Sequence, residues 1–115
     1  MTSGTVFEQG EILIVPFPFS DLSGTKQRPV LVISKPSYNK KAEDIVTCGI
    51  TSNLKDSDFS VLIDNKNLEY GQIPKPSRIK VDKLFTLEKS IVKKRIAKID
   101  SISMDKVRKE FFDLI

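Results

Sequence analysis

Short aliphatic runs separated by turn residues constrain the fold of this chain more than any other feature. Five runs rich in Ile, Val and Leu lie at residues 11–15, 29–34, 44–50, 59–63 and 77–82, and residues 84–86 extend or follow the last one. Prolines, glycines or clustered polar residues interrupt the chain between them, and such residues mark turns and loops. The pattern therefore predicts a series of short strands.

Only the C-terminal segment has the spacing of a helix. Its apolar residues recur every three or four positions, at Met104, Val107, Phe111 and Leu114, which places them on one helical face. Ser101 or Ser103 is available as the N-cap, and the phenylalanine face should pack on the sheet. Short strands followed by one helix predict a mainly β (α+β) fold, a small curled antiparallel sheet or barrel with a C-terminal helix.

The segments between the runs are polar or rich in proline. Residues 16–19 cannot lie inside a central strand, because each proline lacks a backbone donor, and residues 20–27 form a loop. Residues 36–43 and 51–58 are polar connections, and residues 64–67 form a turn. The apolar positions between 88 and 99 fit neither period, so no element is assigned there. A length of 115 residues favours a single domain over residues 1–115.

The chain contains no histidine and one cysteine, Cys48. Nucleases that use a histidine acid–base pair, Ser-His or Cys-His hydrolases and His-ligated zinc sites are therefore excluded within one chain. Cys48 lies in an apolar run, where a free cysteine is usually a small buried hydrophobe. Asp56 and Asp58 are close in sequence, but no other carboxylates are spaced to complete a two-metal site with them. We expect neither a metal nor another cofactor.

Basic residues concentrate in one part of the chain. Residues 66–98 hold ten lysines and arginines and three acidic residues, a net charge of +7 in a chain of net charge +4. This segment fits a polyanionic partner, although a solvated lysine-rich face explains the charge equally well. The N-terminus lacks the features of a signal peptide, and no apolar stretch approaches the roughly 20 residues that span a bilayer. We expect a cytoplasmic protein with no membrane partner.

Four segments, in the same order along the chain, resemble the MazF/PemK toxin family. They are the glycine-acidic-aliphatic run 10–15, the Arg28-Pro29 dipeptide with its aliphatic strand to residue 34, Ile50-Thr51-Ser52, and residues 79–87. The resemblance implies a curled SH3-like barrel that forms a homodimer. It also implies the toxin of a toxin–antitoxin system: an endoribonuclease that cleaves single-stranded RNA (mRNA) without metal, inhibits translation and growth, and binds a cognate antitoxin protein.

The resemblance makes Arg28, Thr51 and Ser52 the candidate catalytic residues. Cleavage through the RNA 2′-hydroxyl needs positive charge near the developing phosphorane, and the Arg28 guanidinium is always charged and can bind two phosphate oxygens. The Thr51 and Ser52 hydroxyls, at the end of a strand, can reach a phosphate oxygen or the 2′-oxygen. Without the resemblance, Arg28 would be assigned to a surface ion pair with Asp21, and the hydroxyls to strand-end capping.

Five further residues are candidates for substrate binding: Phe17, Lys26, Gln27, Lys80 and Asp82. Phe17 can stack on a base, and Lys26 and Gln27 stand where members of the family often carry a Glu-Gln pair. Lys80 is a candidate acid or additional cation, and Asp82 can orient it. Packing in a core or dimer interface is the alternative for Phe17, and an exposed strand position is the alternative for Lys80 and Asp82.

Two other functions fit the same sequence. A toxin of the CcdB type has this kind of fold but binds DNA gyrase, and it would not need the pair Arg28 and Thr51. The second alternative is a small SH3-like barrel that binds nucleic acid or protein without chemistry. Incubation with mixed-sequence single-stranded RNA in EDTA separates both alternatives from an endoribonuclease.

Overall fold

Antiparallel strands form the scaffold of the protein. The computed structural model describes residues 6–16 and 26–115. Its strands are β1 Glu11–Pro16, β2 Gln27–Val32, β3 Asp44–Thr51, β4 Ser60–Ile63, β5 Leu68–Gly71, β6 Ser77–Glu88 and β7 Lys94–Ile99, and its α-helices are α1 Pro36–Lys41 and α2 Ser101–Leu114. No helix in this part of the chain is long and apolar enough to cross a membrane.

The strands belong to one antiparallel sheet with the order β4-β6-β3-β2-β1-β7-β5. Strand β6 is the longest and bends in its middle, because the pair Gly49–Lys80 is followed by the pair Cys48–Leu84, so that residues 81–83 are inserted relative to β3. Extra residues on one strand bend it and increase its twist. The sheet curls into a half-barrel with α2 packed on it.

The two faces of the sheet form two separate cores. The opposed pair Ile12–Leu31 belongs to the core that α2 completes, and the next pair, Leu13–Val30, belongs to the core on the other face. This alternation is the two-residue period of a strand. Full burial of aliphatic side chains of this size contributes about 1.5–3 kcal/mol each, so side chains on both faces stabilise the sheet.

The predicted mainly β fold with a C-terminal helix is confirmed. The predicted strands 11–15, 29–34, 44–50 and 59–63 match β1 to β4 with ends displaced by at most two residues, and segments 77–82 and 84–86 form one strand, β6. Helix α2 packs on β4 and β6. It buries Met104 and Val107, and Phe111 is partly buried against the same core. The prediction that Cys48 is a buried hydrophobe is also confirmed.

Helix α1 and strands β5 and β7 were not assigned from the sequence, and the N-cap of α2 differs from the one predicted. The N-cap is Asp100 rather than Ser101 or Ser103, because the Asp100 carboxylate accepts a hydrogen bond of 2.8 Å from the backbone N of Ser103. A carboxylate also interacts favourably with the positive end of the helix dipole. Both serines therefore lie inside the helix.

Candidate active site

A groove of about 490 Å³ crosses β2, β3 and β6. It lies on the sheet face opposite α2, because Val30 and Phe85, which line it, pack in the core on that side. Gly49 belongs to β3, which lies between β2 and β6, and it has no side chain to fill the groove. In the described part of the chain the lining consists of Arg28, Pro29, Val30, Gly49, Ile50, Thr51, Asn53, Lys55, Asp56, Ser57, Lys80, Lys83 and Phe85.

The strand register places the polar side chains of the groove on one face. Opposed residues in an antiparallel ladder share a face, and on β6 Lys80 pairs with Gly49 and Arg78 pairs with Thr51. The β2–β3 register, continued by two residues, puts Arg28 opposite Thr51. Because side chains two positions apart on a strand point the same way, cations from β2 and β6 flank the Thr51 hydroxyl.

Residues 52–59, which we call the groove loop, connect β3 to β4 and form one wall of the groove. The loop starts with a hydrogen bond from the Asn53 backbone N to Thr51 Oγ1 (3.1 Å), and the Lys55 backbone N then donates to Asn53 Oδ1 (3.0 Å). A hydroxyl that accepts one bond retains its own proton for donation. Strand-end capping and a role in the groove are therefore compatible for Thr51.

A chain of hydrogen bonds joins the groove loop to two cations of β6. Lys80 Nζ donates to Ser57 Oγ (2.8 Å), Ser57 Oγ donates to Ser60 Oγ (3.2 Å), and Ser60 Oγ donates to the Ser57 carbonyl (2.6 Å). Arg78 Nη1 also donates to Ser60 Oγ (3.0 Å). Lysine and arginine can only donate, so the two cations fix the direction of both hydroxyls. The Lys80 ammonium is thereby held at the groove, with further hydrogens available to an anion.

The groove is cationic. Four basic side chains and one acidic side chain line its described part, namely Arg28, Lys55, Lys80, Lys83 and Asp56. The Asp56 side chain is 97% exposed, so water screens its charge strongly. A concave surface with one sign of charge focuses the electric field and attracts ions of the opposite sign. The groove therefore favours an anionic ligand.

Two of the three candidate catalytic residues line the groove. Arg28 is exposed at the second residue of β2, and Thr51 is half-buried at the end of β3. Ser52, the first residue of the groove loop, is exposed and lies outside the lining. The structure therefore brings together Arg28 and Thr51 but not Ser52.

The candidate substrate-binding residues also divide into those that line the groove and those that do not. Lys80 lines the groove, whereas Lys26, Gln27 and Asp82 lie outside its described lining. The Asp82 carboxylate lies 3.9 Å from Lys80 Nζ, which is an ion-pair distance but too long for a hydrogen bond. Phe17 lies outside the described residues.

Three residues at the groove, Arg78, Ser57 and Lys55, were not predicted from the sequence. Arg78 is only 9% exposed, and arginine is rarely so buried. A signal for it exists in the sequence, because Ile79 and Val81 share one face of the strand and alternation puts Arg78 on the other face with Lys80. Nothing in the polar segment 51–58 indicates that its residues turn back over that face.

The chemistry of the groove is that of an anion site. The described residues contain no group of three or more His, Cys, Asp or Glu side chains that could hold a metal ion. The polar groups that line its described part are guanidinium, ammonium, hydroxyl and amide groups, with the exposed Asp56 carboxylate as the one acid. Such donors bind phosphate oxygens and stabilise negative charge that develops on them.

Solved structures share this architecture. MazF from Deinococcus radiodurans superposes with a TM-score of 0.75 at 20% identity and 96% coverage of both chains. A chain of the MazE–MazF structure (form III) from the same organism gives 0.74 at 22% identity, again covering 96% of both chains. A mycobacterial endoribonuclease in complex with its cognate antitoxin gives 0.76 at 15% identity, covering 92% of this chain and 91% of that one. The fold is therefore the curled half-barrel of MazF proteins.

The sequence itself assigns the family. Residues 8–114 match the family described as "PemK-like, MazF-like toxin of type II toxin-antitoxin system". The chain belongs to this toxin family, as the ordered motifs predicted. A comparison with curated proteins gave no match.

Proposed function

We propose that the protein is a metal-independent endoribonuclease that cleaves single-stranded RNA, including mRNA, at short sequences and thereby inhibits translation and growth. The observation that carries the proposal is the cationic groove. Strands β2, β3 and β6 present Arg28, Thr51 and Lys80 there on one face of the sheet. Membership of the toxin family supports it, as does the shared fold with mycobacterial proteins described as endoribonucleases.

Charge stabilisation is the role assigned to Arg28. Cleavage by the RNA 2′-hydroxyl requires a proton to leave the 2′-oxygen, a proton to reach the 5′-oxygen of the leaving group, and stabilisation of the phosphorane charge. The exposed Arg28 side chain can bind two phosphate oxygens through a permanently charged, planar group. One donor of this kind contributes roughly 10²–10³-fold to the rate.

Thr51 and Lys80 supply the proton donors, and the proton that leaves the 2′-oxygen passes to water in the groove. The Thr51 hydroxyl is fixed at the strand end by the Asn53 backbone N and donates to a phosphate oxygen or the 2′-oxygen. The Lys80 ammonium, held by Ser57, is an additional cation and the candidate acid for the 5′-oxygen. Asp82, at 3.9 Å from Lys80 Nζ, orients Lys80.

RNA outside the scissile phosphate contacts the start of β2 and the segment before it. Lys26 and Gln27 are exposed there, next to Arg28, and we assign them to binding of the RNA backbone. We assign Phe17 to stacking on a base, which contributes roughly 1–3 kcal/mol per base in single-strand binding.

Cleavage of a mixed-sequence single-stranded RNA by the purified protein in EDTA tests the proposal. The products should carry a 2′,3′-cyclic phosphate and a 5′-hydroxyl, and the same RNA with 2′-O-methyl groups should remain intact. A preparation of the Arg28→Ala variant is the control for contaminating nucleases. Activity lost on chelation and restored by magnesium would contradict the mechanism. Gyrase inhibition without RNA cleavage would favour a CcdB-like toxin, and RNA binding without cleavage would favour a non-catalytic module.

Two protein partners follow from the same proposal. The first is a cognate antitoxin with an acidic or amphipathic segment that covers the groove, because its carboxylates can occupy the positions of RNA phosphates. One mycobacterial structure of the same fold is described as an endoribonuclease in complex with its cognate antitoxin. The second is another copy of the chain in a homodimer. The site of action would be the cytoplasm, where mRNA is translated.

A further inference from the structure

Arg78 directs its hydrogen bonds to a single segment, the groove loop and the residue after it. Among the described residues it is the one lysine or arginine that is nine-tenths buried, at 9% exposure. Nη1 donates to Ser60 Oγ (3.0 Å) and Nη2 donates to the Leu54 carbonyl (3.3 Å), while the Asp56 carboxylate lies 3.5 Å from Nη1. The guanidinium therefore joins β6 to both ends of the groove loop.

The three contacts are not equal. The Asp56 side chain is 97% exposed, and ion pairs with such a group contribute little because water screens them. Ser60 and the Leu54 carbonyl are the partners that replace water around a buried guanidinium, and a buried charge that loses such partners is costly. The bonds to Ser60 and Leu54, rather than the ion pair, therefore hold the loop.

The same bonds reach the cation of the groove. Ser60 Oγ, which Arg78 holds, accepts from Ser57 Oγ, and Ser57 Oγ accepts from Lys80 Nζ. If Arg78 is removed, Ser60 loses a fixed donor, and the chain that places Ser57 and Lys80 loses its anchor. Arg78 itself lies outside the described lining of the groove, so it acts through these residues.

We propose that Arg78 is a positioning residue that fixes the groove loop against β6 and so keeps Ser57 and Lys80 in the arrangement that binds RNA. The part of the inference that concerns RNA binding rests on the proposed function. The part that concerns the position of the groove loop does not depend on RNA. A displacement of groove groups by about 1 Å can lower a reaction rate by roughly 10²-fold, so a residue without substrate contact can control the site.

Arg95 offers a matched control. It is a half-buried arginine, and its buried Nη2, like the buried Nε of Arg78, has no hydrogen-bond partner among the described residues. Its Nη1 pairs with the Glu11 carboxylate at 3.4 Å. Its other contacts are the Val6 carbonyl (3.3 Å) and the Phe7 ring, none of which lines the groove. Arg95→Gln therefore removes an arginine and its ion pair with a buried carboxylate without touching the groove loop.

The experiment compares Arg78→Gln, Arg78→Lys and Arg95→Gln with the parent protein. Backbone hydrogen exchange is measured without RNA, and binding is measured with a 2′-O-methyl RNA that cannot be cut. In Arg78→Gln, the hydrogen-bonded amides within 53–58, those of Asn53 and Lys55, should exchange at least about tenfold faster, as expected for local opening. RNA affinity should fall about tenfold. Arg78→Lys should recover part of both, because an ammonium can still reach Ser60. Arg95→Gln should leave both unchanged even where its melting temperature falls.

Ser60→Ala tests whether Arg78 acts through its hydrogen bond to Ser60. It removes the hydroxyl that receives the Arg78 bond, so its effect on exchange should not add to that of Arg78→Gln. Unchanged exchange at 53–58 in a folded Arg78→Gln protein overturns the proposal, as does equal acceleration in Arg95→Gln, which would mark a general loss of stability. If the parent protein neither binds nor cuts RNA, the proposed function fails, while hydrogen exchange still decides whether Arg78 fixes the loop.

Discussion

Three arginines of this chain differ in burial, and burial decides what each guanidinium can do. Arg28 is exposed at the start of β2 and lines the groove. Arg78 is buried and hydrogen-bonded to the groove loop, and Arg95 pairs with Glu11 and stacks 4.2 Å above the Phe7 ring. Groups fixed in this way are not available to a substrate. Among these three, Arg28 is the one that lines the described groove, and the proposed function assigns contact with RNA to it.

At the residue scale the sharpest prediction concerns Arg28. Arg28→Ala should lower the single-turnover cleavage rate by roughly 10²–10³-fold, the scale of losing one donor to a developing oxyanion. RNA affinity should fall much less, because the groove keeps three lysines. Arg28→Lys should also be impaired, since an ammonium lacks the two-pronged grip, and the double mutant with Thr51→Ala should be less than additive.

Rates at saturating protein, filter binding and thermal melts of each variant check this prediction together. A folded Arg28→Ala protein that cuts RNA at a near-normal rate would remove Arg28 from the active site. A variant that fails to fold would instead support a structural role for Arg28, such as the ion pair with Asp21 that the sequence alone suggests.

The Cys48 thiol is predicted to make the protein less stable in alkali. Burial, with a smaller contribution from the Asp82 charge, raises the pKa of Cys48 to about 12, whereas an unfolded cysteine has a pKa of about 8.5. The unfolded chain alone releases this proton between those values, so stability from this group is complete below about pH 8.5 and declines as pH rises toward 12, by up to about 1.4 kcal/mol per pH unit. Urea unfolding from pH 7 to 10 should show that the free energy of unfolding declines less steeply with pH in Cys48→Ala than in the parent protein. An equally steep decline in both proteins would refute this assignment.

At the scale of elements, the sequence predicted the strands that have a strong apolar pattern. Strand β3 is buried on both faces, and its predicted span differs from Asp44–Thr51 by one residue. Strand β5 was missed because it is an edge strand with one half-buried residue, Leu68, and exposed neighbours. Strand β7 has three half-buried residues out of six, with lysine and arginine among its apolar residues. Neither strand shows the alternation that sequence analysis requires.

Elements that are held by polar contacts could not be predicted from the sequence either. Helix α1 depends on the buried Asn39, whose side-chain amide donates to the Phe7 and Ser34 carbonyls (2.8 and 2.9 Å). Of the site, Arg28, Thr51 and Lys80 could be proposed from motifs, because strand ends and alternation fix their positions. The groove loop could not, since its path depends on the burial of Arg78 and on the bend of β6 at 81–83.

The N-cap of α2 gives a prediction at this scale. Asp100→Ala should lower the free energy of unfolding by about 1 kcal/mol, because the backbone N of Ser103 loses its acceptor and the helix loses a favourable charge. Ser101→Ala is the control, since Ser101 is an exposed residue inside the helix. Urea unfolding with an unchanged m-value checks both variants. A larger loss in Ser101→Ala than in Asp100→Ala would show that the helix is capped by the serine.

At the scale of the whole molecule, the basic segment of the sequence is divided between two surfaces. Lys80 and Lys83 line the groove. Arg95 pairs with a carboxylate of β1, and Lys98 lies 2.6 Å from the Glu8 carboxylate. The excess charge of residues 66–98 therefore overstates the positive charge that lines the groove. What the fold provides is a smaller site in which β2, the groove loop and β6 each contribute positive charge.

We predict that the protein is a dimer of twice the 13.0 kDa chain mass. A chain of 115 residues buries about two thirds of its unfolded surface, so an interface adds appreciably to a small core. Light scattering at micromolar concentration measures the mass directly. A strictly monomeric protein that still cuts RNA would contradict the homodimer as the active form.

The last prediction follows from the number of cations in the groove. Each phosphate contact releases counterions, and for a single strand the logarithm of affinity falls with the logarithm of salt concentration with a slope of about −0.7 per contact. Four basic side chains line the described groove, so one groove filled by RNA should give a slope of about −2.8, or roughly 50-fold weaker binding at 200 mM than at 50 mM salt. An RNA that spans the grooves of both protomers should give about twice that slope. Titrations of a short and a long 2′-O-methyl RNA over this range measure both values, and binding that does not respond to salt would show that the lysines and Arg28 do not contact the phosphates.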